Sequence, residues 1–293
     1  MKQPVDPEVD GLFRYRLDLA YDGTDFNGWA KQPHLPSVHG ELVQALTTIF
    51  GESKTDFDMR VAGRTDAGVH ADHQVVHIDL TPIQLRRIGR SLELADRLNT
   101  LLPRSIRVHS MQPAAPGFHA RFSATSRRYR YRIADRPTTK NPMQARYQLW
   151  LRYGLDAEKM HKAAQQLVGL HDFVAYCKPR AGSTTIRQVF EITVSRNSKD
   201  ADILEIEFEA EAFCHNMVRA ITGALIKVGV GDIEPERLVE LLNAKERASE
   251  LKVVQPQGLT LIRVNYPPDS ELAAQAEKTM NMRTLDEKEG LTE

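Results

Sequence analysis

The chain has 293 residues, 41% of them apolar, enough to bury a substantial core as one large domain or two moderate ones. Its 39 basic and 39 acidic residues cancel, so attraction to a polyanion has to come from local clustering. No stretch is long and apolar enough to span a bilayer, the N-terminus MKQPVDPEVDG has no apolar targeting core, and Cys177 and Cys214 suggest neither a disulfide framework nor a metal pattern. A cytoplasmic protein with no membrane contact is expected.

Residues 1–12, with Pro4, Pro7 and three acids, read as a flexible lead-in. In residues 14–20 Tyr15, Leu17 and Leu19 share one face and Arg14, Arg16 and Asp18 the other, the pattern of a half-buried strand. YDGTDFNGW at 21–29 is a glycine-punctuated loop, and its Asp22 and Asp25 lack the further carboxylates of a calcium loop. Ser37 can cap a helix that runs to Phe50 with Val38, Leu42, Ala45, Leu46 and Ile49 on one side. In the stretch from 59 to 79, Gly63 and Gly68 flank Arg64 and Asp66, which predicts a tight, exposed turn carrying a carboxylate beside a guanidinium. Such a turn either presents an ionised acid to a substrate or holds an ordinary ion pair. A strand at 74–80 follows, Thr81-Pro82 opens a helix, 83–102 forms one interrupted helix or two short ones, and 106–110 is a strand.

The N-terminal half is set at 13–113 and the C-terminal half at 114–267. From His119 to Lys140 seven basic residues (Arg121, Arg127, Arg128, Arg130, Arg132, Arg136, Lys140) face Asp135 alone, a local formal charge of +6. Alternation separates Tyr129, Tyr131 and Ile133 from Arg128, Arg130 and Arg132, so either the arginines meet backbone phosphates or they solubilise an edge strand over ordinary core tyrosines. Asp156 can cap a helix to about Val168, and KPRAG at 178–182 is a basic loop able to reach phosphate through Lys178 and Arg180. Strands are expected at 186–195 and 203–210, and an apolar helix at 213–228. On that helix Arg219 either meets an acid partner or lays its stem over the core with its head in water. A helix from Pro235 to Leu242 and a strand at 259–266 complete the fold. Residues 268–293, with seven acids against three bases, read as a mobile acidic tail in which 271–282 can form a short helix. Both halves open on a basic, tyrosine-containing strand, RYRLDLA and RRYRYRI. The fold class is therefore α+β: two related halves with mixed or antiparallel sheets flanked by helices around a central RNA-binding cleft.

The octapeptide Gly63-Arg64-Thr65-Asp66-Ala67-Gly68-Val69-His70 closely resembles the tRNA pseudouridine synthase A family. YDGTDFNGWAKQ at 21–32, FHARFSATSRRYRY at 118–131, NMVR at 216–219 and GLTL at 258–261 join it in the same order, and the resemblance covers roughly residues 14–266. It implies the pseudouridine synthase fold, with Asp66 as the catalytic aspartate and Arg64 entering the space of the extracted nucleotide. Tyr129 is implied to pack on the target base, Arg219 to pair with the catalytic carboxylate, and Leu259 to close the pocket. Arg121, Arg128, Arg130, Lys178 and Arg180 are the expected backbone contacts. The chain departs from the family where many members carry Phe-Leu: here Phe213-Cys214 stands, with the cysteine expected to pack as a small hydrophobe.

The implied reaction isomerises uridine to pseudouridine at positions 38, 39 and 40 of the tRNA anticodon arm. The N1-glycosidic bond breaks, the held uracil turns, and C5 bonds to C1'. No cofactor and no metal are expected. His70, His73 and His77 are spaced for one helix face but lie in a strand-like sequence, and His39, His119 and His215 suit structural or RNA contacts. The carboxylate attacks C1', abstracts the 2'-proton or adds at C6 of the base; the sequence leaves all three open. The resemblance also implies a homodimer with one tRNA touching both subunits, and no DNA partner. A non-catalytic RNA-binding module explains the Arg and Tyr strands but gives no reason for the Arg64-Asp66 loop.

Overall fold

Leu12–Tyr21 is the strand on which the first half is built, with Tyr15, Leu17, Leu19 and Tyr21 buried along one face as a period of two requires. In chain order it is β2, after the short β1 (Glu8–Val9). The structure is a computed structural model. It describes residues 8–9, 11–51, 57–88, 91–178, 184–244, 246, 248 and 251–280, which fall into two compact units: residues up to 125 together with 261–280, and residues 126–260.

The first unit continues with α1 (Val38–Phe50), β3 (Arg60–Val61), β4 (His70–Leu80), α2 (Pro82–Ile88), α3 (Ser91–Leu101) and β5 (Ile106–Pro113). β2 pairs antiparallel with β4 on one edge and with β5 and β1 on the other, and β3 pairs with β4. The Ser37 hydroxyl accepts from the Gly40 amide at 3.2 Å to start α1, and Gly51, at φ 62°, ends it. Thr81 and Gln84 exchange reciprocal bonds of 2.9 and 3.2 Å at the entry to α2, a capping box, and the predicted 83–102 stretch resolves into two helices.

Three boundaries differ from the sequence reading. Leu12 already pairs with Val9, so the ordered chain begins before residue 13. The unit boundary falls after Thr125 rather than after 113, because Ala114 donates to the Arg14 carbonyl and Thr125 to that of Asn265. Part of the expected mobile tail is folded, as shown below.

On its polar face Arg14 forks onto Asp79 with two bonds of 2.7 Å, and Arg16 lies against Asp18 and over the Phe118 and Tyr266 rings. Behind them His77 is buried with its Nδ1 accepting from the Ala120 amide at 3.0 Å, which needs a neutral ring. Burial, with Arg14, His119 and Arg60 adding to it, lowers the His77 pKa to about 2; burial and Arg14 lower His119 to about 4. Both groups take up protons near 6.5 once unfolded, so the stability they carry is complete above that pH and is lost as pH falls below it. The expected slope is about 1.4 kcal/mol per pH unit for the buried His77 and less for the partly exposed His119, whose charge water screens. Urea midpoints between pH 7.5 and 5 check this, and His77→Gln should flatten the curve; an equally steep curve in that variant would remove His77 from the account.

The second unit holds β6 (Ser126–Ala134), β7 (Leu149–Trp150), α4 (Ala157–Gln165), β8 (Gly169–Asp172), β9 (Ile186–Asn197), β10 (Ile203–Ala210), α5 (Met217–Val230) and α6 (Arg237–Asn243). Its sheet runs β6-β10-β9-β8, all antiparallel, with β7 parallel to β6. Asp156 caps α4 by accepting from the Lys159 amide. α5 begins four residues later than the apolar pattern suggests, because Asn216 takes a left-handed conformation (φ 68°) in a turn that the Met217 amide closes onto the Cys214 carbonyl. Cys177 and Cys214, which the sequence reading left unconnected, are joined as a disulfide. Their Cα atoms are 5.8 Å apart where the Lys178 amide donates to the His215 carbonyl, a pairing that a separation of 37 residues hides.

The chain leaves the second unit within β11 (Leu259–Asn265) and closes the first with α7 (Leu272–Met280). Leu272 and Ala276 are buried, the Leu272 carbonyl accepts from the Ser123 hydroxyl at 3.0 Å, and Gly117 has no room for a Cβ beside Ala273. Residues 268–280 are therefore part of the fold, while 281–293 lie outside the described residues. The class is α+β. Among the described residues no helix is long and apolar enough to cross a membrane.

Candidate active site

The Arg64–Asp66 loop joins β3 to β4. The Ala62 amide donates to Val75 as the last rung of that pairing, and then the chain turns out, with Val69 donating back to the Asp66 carbonyl at 3.2 Å and Gly68 at φ 75°. Arg64 is exposed and Asp66 half-buried.

The loop at 22–29 packs directly on this turn. Trp29 donates to the Thr65 carbonyl at 3.0 Å, and Gly68 donates to that of Phe26 at 3.2 Å. The close approach explains two glycines that the sequence shows only as loop punctuation. A Cβ on Gly23 would sit 2.0 Å from the Val69 oxygen. One on Gly28, whose φ is +88°, would sit 2.8 Å from the Thr65 oxygen and 3.0 Å from the Asp66 carbonyl carbon. Gly28→Ala can be accommodated only by moving the backbone of Asp66, so it should slow single-turnover chemistry by roughly 10²-fold, the scale of a 1 Å misplacement. A quench-flow measurement at saturating RNA checks this, and an unchanged rate would show that the loop position is unimportant.

Beneath the turn, inside the first unit, the Tyr21 hydroxyl lies 2.7 Å from Thr65 Oγ1, and Gln74 Nε2 donates to the Gly63 carbonyl at 2.8 Å and to the Tyr21 oxygen at 3.2 Å. Burial pushes the Tyr21 hydroxyl up to about 12, so it stays protonated. Neither Tyr21 nor Gln74 was singled out from the sequence: Tyr21, read there as the start of a loop, is the last residue of β2, and Gln74 reads there as an ordinary strand position.

The second unit carries Tyr129, Arg219 and Leu259. Tyr129 is buried in β6, edge-on to Phe213 with centroids 5.2 Å apart. Arg219 is half-buried and its Nε donates to the Val254 carbonyl at 2.7 Å, so a backbone oxygen is among its partners. The next residues hold Tyr131: its hydroxyl donates to the Gln255 carbonyl at 2.6 Å and its ring fills the space beside Gly258. Leu259 follows at once, buried at the start of β11. One short segment, 254–259, thus fixes the Arg219 side chain and the floor of β6, and ends on Leu259.

The arginine ladder of β6 needs correction. β10 presents Glu209, Glu207 and Glu205 opposite Arg128, Arg130 and Arg132. Arg128 meets Glu207 at 2.8 Å and Glu191 at 3.2 Å, and Arg130 meets Glu207 at 2.8 Å. The charge of Arg128, Arg130 and Arg132, half of the local +6, is offset across the sheet, and a phosphate at Arg128 or Arg130 would have to displace a carboxylate. Arg128→Gln with Arg130→Gln should therefore change the slope of log K against log salt by less than the roughly 0.7 to 0.9 of one phosphate contact. Titrations between 50 and 200 mM salt check this, and a loss of two contacts would restore the phosphate role. Arg121 is exposed, with its guanidinium 5.1 Å from the Phe122 ring. Lys178 is exposed, and Arg180 lies outside the described residues.

The three spaced histidines go separate ways: His73 Nε2 lies 3.2 Å from Asp18, His77 binds the Ala120 amide, and His70 Nδ1 accepts from Gly23.

Comparison with known proteins gives this geometry its context. A family model described as tRNA pseudouridine synthase matches residues 163–267. The tRNA pseudouridine synthase A of Leifsonia xyli subsp. xyli is 46% identical over 289 residues, covering 94% of this chain and 100% of that one. The protein of the same name from Streptomyces avermitilis is 46% identical over 286 residues (97% and 98% covered), and that from Mycobacterium leprae 42% over 291 (95% and 98%). Identity of this order across nearly the whole of each chain means that this chain belongs to the tRNA pseudouridine synthase A family.

Proposed function

We propose that Asp66 is the essential carboxylate with which this chain isomerises uridine to pseudouridine at positions 38, 39 and 40 of the tRNA anticodon arm. Family membership makes the chain a tRNA pseudouridine synthase, an isomerase acting on uridine in tRNA. The observation that carries the residue assignment is the way the Asp66 turn is held: donors from Trp29 and Gly68 and two glycines with no room for a side chain keep it at one place in the first unit. A turn that merely closed a strand connection would not need such support.

In this reading the target nucleotide leaves its stack, at a cost of a few kcal/mol, and Arg64 occupies the vacated space. Tyr129 packs against the base and Leu259 bounds it, while Arg219 is the residue that the resemblance of the NMVR motif assigns to the carboxylate. Asp66 then acts at C1', at the 2'-proton or at C6 while the N1–C1' bond breaks. The uracil turns, C5 bonds to C1', and the C5 proton leaves to water or to Tyr129. Bonds broken and formed balance without redox partner or water consumed, so the proposal includes no cofactor and no metal. Arg121, Lys178 and Arg180 are proposed as backbone contacts from the basic runs that hold them, a homodimer as the working form from the resemblance of the sequence motifs, and the cytoplasm as its location.

The test is position-resolved pseudouridine mapping after incubating purified protein with unmodified tRNA in the presence of a chelator. Signal confined to positions 38, 39 and 40 supports the reading. Tight binding to folded tRNA with no conversion would instead favour the non-catalytic RNA-binding module.

A further inference from the structure

We propose that Tyr21 and Gln74 are positioning residues for the Asp66 carboxylate, acting through Thr65 and Gly63 by a hydrogen-bond chain beneath the turn. The inference rests on the Asp66 reading and deepens it. Gln74 is fully buried, and its amide orientation is fixed by chemistry: the Gly63 carbonyl can only accept, so the Gln74 atom 2.8 Å away must be the amide nitrogen. The same nitrogen donates to the Tyr21 oxygen at 3.2 Å, while the Gln74 oxygen faces the Val75 amide at 3.2 Å. The Tyr21 hydroxyl and Thr65 Oγ1 share a bond of 2.7 Å in which either hydroxyl can donate, so the chain links Gln74, Tyr21 and Thr65.

Thr65 is the peptide neighbour of both Arg64 and Asp66. Its side chain is held from below by Tyr21 and its carbonyl from the side by Trp29, at 3.0 Å. With Gly63 fastened by Gln74, the backbone entering Asp66 is anchored at residues 63 and 65. Three buried polar groups are costly in a core that apolar residues would fill as well, and the network's return is a unique placement of the turn. Tyr21 and Gln74 come from neighbouring strands, since β2 and β4 pair as far as Tyr21 and Ala71, so the turn inherits its position from the rigid sheet rather than from the loop.

The experiment compares single-turnover rates at saturating unmodified tRNA, tRNA Kd and thermal midpoints for Tyr21→Phe, Thr65→Val, Thr65→Ser and the Tyr21→Phe/Thr65→Val pair, beside Asp66→Asn. Tyr21→Phe and Thr65→Val should each lower the rate of fully folded protein by roughly 10- to 100-fold with Kd changed less than about twofold, as misplacement of a reacting group does. The pair should be no slower than the slower single variant, and Thr65→Ser should recover most of the wild-type rate. A wild-type rate in folded Tyr21→Phe, multiplicative losses in the pair, or a Thr65→Ser as slow as Thr65→Val overturns the proposal, since a merely structural network would move the thermal midpoint alone. If Asp66→Asn is inactive and Tyr21→Phe is not impaired, only the positioning role fails; if Asp66→Asn converts uridine at the wild-type rate, the Asp66 reading fails first.

Discussion

Asp66→Asn is expected to lower single-turnover pseudouridine formation by roughly 10³-fold or more while tRNA affinity stays within a few-fold of wild type, because all three chemical routes use the carboxylate as base or nucleophile. The substitution is nearly isosteric. The turn bond from Val69 goes to the Asp66 backbone carbonyl, and the supports from Trp29, Tyr21 and Gln74 fall on residues 63 and 65, so the loop should keep its shape. What changes is the charge and lone-pair basicity of one side chain. A rate equal to wild type, with deamidation excluded by mass spectrometry, would sink the assignment. Asp66→Glu separates chemistry from placement: the charge returns on a longer stem, and a loss of roughly 10²-fold is expected from misplacement alone. If the Glu variant were fully active, the tight clamping of the turn would have no catalytic purpose.

How far the sequence carries depends on whether the information is local. Ser37 before α1, Thr81-Pro82 before α2 and Asp156 before α4 are read correctly because a cap is defined within four residues. The strands of alternating burial are found for the same reason. The turn at 63–68 is also legible, through its two glycines and its octapeptide. Its supports are not, because Gly23 and Gly28 matter for what touches them from distant positions in the chain, Val69 and Thr65. The basic run of β6 shows the limit most clearly. Arg128, Arg130 and Arg132 alternate in one stretch, and Glu205, Glu207 and Glu209 alternate in another. Both patterns are plain, but only the antiparallel register says that they face each other and neutralise. The left-handed Asn216 that delays α5 and the Cys177–Cys214 pairing are likewise products of tertiary contact.

Asp135, the single acid in that basic run, is expected to be its most sensitive position: Asp135→Ala should destabilise the second unit by about 3 to 5 kcal/mol, the scale of a buried pair broken on one side. The carboxylate side chain has no solvent exposure, Arg196 forks onto it at 2.7 and 3.0 Å, and the Leu155 amide donates to it at 2.8 Å. Burial alone would raise its pKa, but these donors and the Arg196 charge outweigh it and hold the carboxyl below the usual carboxylate range. The stability it contributes is therefore present above the unfolded carboxyl pKa near 3.8 and is lost as pH falls through the lower folded value. Alanine leaves a guanidinium at the edge of the core with half its partners gone, although its bonds to the Leu155 and Asp202 carbonyls remain. Asp135→Asn keeps the shape and one acceptor but turns an amide donor toward donors, so it should lie between wild type and alanine. Asp135→Leu with Arg196→Met removes both charges together and should recover part of the loss. Urea unfolding at pH 7 of all three variants checks the ordering. Equal midpoints for wild type and Asp135→Ala would mean that Arg196 finds water or another acceptor at no cost, and that the arginines of this sheet owe their place to solubility rather than to pairing.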